Sequence, residues 1–156
     1  MAKANLEKVL LIGAPNQMER DAADAITPGM LIELNSTNGV IPHNVAGGFS
    51  DKWVAVENDI AGDDFDHPYL AGEVCLFNAC RQGDEVLLTI NDGENIAIGE
   101  DLESAGNGKV RAIVGEESGA VFGRQRYAVA RALQAIDMTD SSGGDPAFKR
   151  IRCRIV

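Results

Sequence analysis

The sequence predicts a mainly β fold, a small barrel or sandwich of short strands led by an extended N-terminal arm. Three observations carry this. Glycine is abundant, 17 of 156 residues, and it falls between short apolar runs, where it marks turns. Asn38-Gly39 and Asn91-Asp92-Gly93 are strong short-turn signals. Finally, Arg150, Arg152 and Arg154 alternate with Ile151, Cys153 and Ile155. Side chains alternate faces along a strand, so one face is apolar and the other holds three guanidiniums.

The elements follow in order. Lys8 to Ile12 suits a short strand, which Gly13-Ala14-Pro15-Asn16 breaks, because proline fixes φ and lacks an N–H. Met18 to Ile26 suits one or two helical turns with few apolar anchors. Residues 1–27 therefore read as an arm whose order depends on what it lies against. The β-rich domain, residues 28–156, opens at Pro28-Gly29. Met30–Leu34 is extended, Asn35–Gly39 is a turn cluster, and Val40-Ile41 begins the return. Trp53–Glu57 and Glu73–Phe77 are further strands. Gly83-Asp84 opens Glu85–Ile90, Asn91-Asp92-Gly93 turns the chain, and Asn95–Ile98 returns it. Gly106-Asn107-Gly108 leads into Lys109–Val114. Tyr127–Ile136 is ambiguous: Val129, Ala132, Leu133 and Ile136 have helical spacing in an alanine-rich run, while a period of two places Val129, Leu133 and Ala135 on a face with Arg131.

At 156 residues one domain is the default, with room for a genuine core. The net charge of −10 argues against general attraction to nucleic acid or an anionic membrane. No apolar run approaches the ~20 residues of a membrane span, and none resembles a signal-peptide core. Cys75, Cys80 and Cys153 lack metal-motif spacing and read as reduced thiols made in a cytosol.

Chemistry is hard to find. Gly13 follows an apolar run, but the other glycines of a dinucleotide loop are missing. Asp59, Asp63, Asp64, Asp66 and His67 cluster without the register of a calcium loop, and read as a solvated acidic loop. His43 and His67 have no serine or cysteine motif beside them, and each reads as a loop residue. Gly83–Leu102 resembles the hairpin of biotinyl and lipoyl carriers, but its tip lacks the cofactor lysine. A trimeric dUTPase-like phosphate loop finds only Gly119–Arg124, which lacks the serines. These readings imply no catalytic residue, cofactor or metal. Charge is uneven: residues 1–123 hold 7 basic and 21 acidic side chains, residues 124–156 hold 7 basic and 3 acidic. Such asymmetry suits complementary surfaces meeting within the fold or across subunits.

The succession Ile26-Thr27-Pro28-Gly29-Met30-Leu31, Asn38-Gly39-Val40, Trp53–Glu57, Pro68–Val74, Gly83–Leu87, Ile98–Leu102, Gly108-Lys109-Val110, Ala128–Ala135 and the final Arg/Ile strand resembles the tailed-phage head decoration, or capsid cement, proteins. These are related in fold to the lambda-type decoration protein. The resemblance covers about residues 26–156. It implies a β-tulip domain, a strand in the alanine-rich segment, and no enzymatic activity. It further implies a homotrimer on the outer surface of the expanded capsid, made in the host bacterial cytoplasm, with the major capsid protein as partner. The arm residues Leu6, Val9, Leu10, Leu11, Ile12 and Pro15 are then the candidate capsid contacts, and Arg150, Arg152 and Arg154 the candidate subunit interface. An arm can order along a neighbour or add a strand to its sheet. The competing reading is a small β-clip or barrel-type enzyme or ligand-binding module.

Overall fold

A computed structural model describes residues 8–113, 127–139 and 150–156. Leu6 and the stretch Gly119–Arg124 lie outside them. In chain order the strands are β1 (Leu10–Ile12), β2 (Asn16–Asp21), β3 (Leu31–Leu34), β4 (Val40–Pro42), β5 (Trp53–Ala55), β6 (Val74–Ala79), β7 (Glu85–Thr89), β8 (Asn95–Ile96), β9 (Asp101–Ser104), β10 (Val110–Ala112), β11 (Ala130–Ala132), β12 (Ile136–Asp137) and β13 (Arg150–Ile155). Among the described residues there is no helix.

The strands form three antiparallel sheets. One has six strands, β1-β7-β13-β11-β9-β10; one has five, β2-β6-β5-β3-β4; and β12 pairs with β8. None closes into a barrel, so the architecture is a small sandwich. Both large sheets supply one apolar core: Leu31, Ile32, Val54 and Phe77 from the five-stranded sheet, Val86, Leu88, Leu102, Ile151 and Ile155 from the six-stranded one. Phe77 is fully buried, with the Trp53 ring tilted over it at 5.1 Å. Alternation along β13 seats Ile151, Cys153 and Ile155 inward, as the sequence requires.

Pro28-Gly29 joins the two layers. The Gly29 N–H donates to the Ala55 carbonyl at 2.8 Å, and the Gly29 carbonyl accepts from the Thr89 N–H at 2.9 Å. Its φ of +93° belongs to glycine. A Cβ there meets Thr89 Oγ1 and Arg150 Nε at 3.0 Å and the Leu87 carbonyl at 3.1 Å.

Three expectations are corrected, on the N-terminal segment, on Met18–Asp21 and on the partner of β8. Residues 9–21 are not a separate arm: Val9 is buried in the core, β1 pairs with β7, and β2 pairs with β6 over six residues. Met18–Asp21 is strand and not helix, because the β6 edge offers backbone partners to a segment with few apolar side chains of its own. β8 does not return onto β7, since β7 is already flanked by β1 and β13. The alanine-rich segment is extended, with Ala130 and Ala132 buried and Arg131 exposed, so pairing on both sides overrides helix propensity. The strand β9 was missed altogether. It offers one apolar residue, Leu102, while Glu103 and Ser104 are buried polar groups.

Candidate functional site

Three places bring candidate side chains together: the outer face of the six-stranded sheet, its β1 edge, and a buried histidine cluster. Strand alternation and register build the first. Arg154 lies opposite Glu85 on β7 and opposite Arg131 on β11, and Arg131 lies opposite Asp101 on β9. Ile12 on β1 continues the row beyond Glu85. Arg152 and Arg154 both donate to the Glu85 carboxylate, at 2.7 Å and 3.1 Å. Those hydrogen bonds hold the Glu85 carboxyl below its ordinary pKa. Arg131 donates to Asp101 at 2.9 Å, which raises the arginine's pKa in turn.

Arg150 behaves differently from its two neighbours. Its side chain is 5% exposed. It donates to the Pro28 carbonyl at 2.9–3.0 Å, to the Phe65 carbonyl at 2.5 Å and to the Asp66 carboxylate at 2.7 Å. Its guanidinium also lies 4.0 Å above the Phe65 ring. These contacts stay within the chain and tie β13 to the Pro28-Gly29 link and the acidic loop. That loop is fastened at its other end by Lys8, which pairs with Asp59 at 2.5 Å.

The N-terminal candidates divide by face. Val9 is core, and its N–H donates to the Glu57 carboxylate at 3.1 Å. Leu10 is half-buried, and Pro15 is partly exposed before β2. Leu11 and Ile12 are 39% and 55% exposed. β1 is also the outermost strand of its sheet.

The histidine cluster was not legible, because its members lie far apart in sequence. His43 is buried beyond β4, with Nδ1 2.7 Å from Ser104 Oγ and Nε2 2.8 Å from the Phe49 carbonyl. A carbonyl only accepts, so Nε2 donates to it. The Gly106 N–H donates to the Ser104 hydroxyl oxygen at 3.2 Å. Glu33 lies 3.6 Å from Nε2. Although Ser, His and Glu meet here, Ser104 is wholly buried, so its oxygen is closed to a substrate. The cluster pins the loop after β4 onto β9, and on the same strand the buried Glu103 carboxylate accepts from Arg111 of β10 at 2.9 Å.

Burial pushes the thiols of Cys75, Cys80 and Cys153 up to about 12, and all three are unbridged. Buried Tyr69 donates to the Val56 carbonyl at 2.6 Å. Among the described residues no three His, Cys, Asp or Glu side chains are placed to hold a metal ion, and no helix is long and apolar enough to cross a membrane.

No protein-family model matches the chain, and no curated protein sequence does. A solved structure is similar: the N base of the head fiber protein gp8.5 of bacteriophage phi29. The TM-score is 0.54 at 10% identity, over 92% of this chain and 95% of that one. Likeness so complete in length and so low in identity is a likeness of fold, and this chain has the fold of that head fiber base.

Proposed function

We propose that this chain is a structural protein of a phage head. In this reading it binds the outer surface of the expanded capsid as a homotrimer and stabilises the shell against the pressure of packaged DNA. The observation that carries it is the end-to-end fold likeness to a phage head fiber base. The order of turn and strand motifs, which resembles the head decoration proteins, supports the same reading from the sequence. The contact with the major capsid protein runs through the β1 edge, where Leu11 and Ile12 stand exposed on an outermost strand. Val9 and Leu10 act as its anchor in the fold. Three linked copies convert modest contacts into durable attachment, since each bound copy raises the effective concentration of the next.

The test is cosedimentation with expanded capsids assembled from the cognate shell protein. Replacing Leu11 and Ile12 with serine removes exposed apolar surface without touching the core. The double variant is expected to bind at least ~10-fold more weakly while its melting temperature stays unchanged. Wild-type binding by the variant overturns the assignment of the contact.

A further inference from the structure

We propose that the outer face of the six-stranded sheet, centred on Arg131, Arg152 and Arg154, docks the acidic 57–66 loop of a second copy of this chain. The proposal rests on the reading of the protein as a self-associating structural component, and it replaces a general arginine interface with a specific pair of surfaces.

The argument is electrostatic. Arg131 and Arg154 are directly opposed across β11 and β13, and like charges in that position repel. Three guanidiniums on this face, each about half exposed, share two carboxylates, Glu85 and Asp101. The face therefore keeps excess positive charge on a chain of net charge −10. A carboxylate arriving between Arg131 and Arg154 completes the alternation of charge along the row. The acidic loop supplies it. Asp59 and Asp66 are held by Lys8 and Arg150, whereas Asp63 and Asp64 take part in no ion pair among the described residues. The fold already shows the mode of contact once: Arg150, on the same strand, receives the Phe65 carbonyl and the Asp66 carboxylate of its own loop. Exposed Ile60 within the loop and Leu70 just beyond it add apolar surface.

The experiment is light scattering on the full chain, read as molar mass at low and high salt. Two variants are made. R131E/R154E inverts the face and leaves Arg152 on Glu85; D63K/D64K inverts the loop. Wild type is expected to associate at low salt and to fall toward the monomer mass at ~0.5 M salt, where the screening length is only a few ångströms. Each variant alone is expected to be monomeric, and an equimolar mixture to regain association. Circular dichroism confirms that each is folded, and R131Q/R154Q, milder in charge, is expected to weaken association by a smaller factor. The proposal is overturned if wild type is monomeric at low salt, if either folded variant alone keeps the wild-type mass, or if the mixture stays monomeric. Capsid cosedimentation of the same samples reads the proposed function separately: wild type that is monomeric at low salt yet binds capsids sinks the surface assignment and spares attachment to the shell.

Discussion

Glu85 shows how one side chain organises a surface. It is buried at its base, opposite Arg154 on the neighbouring strand, and it accepts from two guanidiniums. Its pKa is lowered in the folded state, chiefly by the Arg152 hydrogen bond and next by that of Arg154. The native state thus favours the charged form more than the unfolded chain does. The stabilisation is fully present above the unfolded carboxylate value, ~4.3, and is lost as pH falls through the lower folded value. Glu85→Gln is expected to be less stable than wild type at neutral pH. The difference is expected to shrink as pH drops below ~4, which melting curves across pH 2–7 measure. Gly29 gives a second prediction. A side chain at its positive φ is strained, and the new Cβ presses on the Leu87 carbonyl. Gly29→Ala is expected to cost at least ~1 kcal/mol, a fall in Tm of ~2 °C or more at this chain length. An unchanged Tm contradicts the role given to the Pro28-Gly29 link.

At the scale of elements, strands with a regular pattern were readable and strands made by their neighbours were not. β13 announces itself because Ile151, Cys153 and Ile155 need burial and the arginines between them need solvent or partners. β3 and β4 follow from the Asn35–Gly39 turn, closed by the Asn35 N–H donating to the Gly39 carbonyl at 2.9 Å. By contrast β2, Asn-Gln-Met-Glu-Arg-Asp, carries almost no strand signal of its own; the β6 backbone recruits it. β9 conceals itself because Glu103 and Ser104 are buried polar residues, paired with Arg111 on the next strand and with the distant His43. The candidate site was partly legible for the same reason. The arginine row follows from period two, but its carboxylates come from β7 and β9, and only the register reveals them. The N-terminal segment belongs to this scale too. Deleting residues 1–15 removes Val9 from the core and β1 from its sheet. Loss of one buried valine and a strand pairing is expected to destabilise the fold by more than ~2 kcal/mol, lowering the denaturant midpoint. A truncated protein as stable as wild type contradicts the integration of β1.

At the scale of the molecule, the described residues combine one shared apolar core with distinct exposed surfaces. The Ser104–His43 pair is buried, burial raises the pKa of the three thiols, and outside the core Glu85 and Asp101 pair with arginines of neighbouring strands. The fold exposes an edge strand bearing Leu11 and Ile12, a sheet face bearing Arg131, Arg152 and Arg154, and an acidic loop. Such features favour many modest contacts with large neighbours, and repetition around a symmetric assembly multiplies them. The central claim is attachment to a phage shell, and electron microscopy of expanded capsids mixed with the purified chain tests it most directly. The account predicts discrete added density on the outer capsid surface at symmetry-related positions, with β1 turned toward the shell. Capsids that remain bare at saturating protein, at low and physiological salt alike, contradict it.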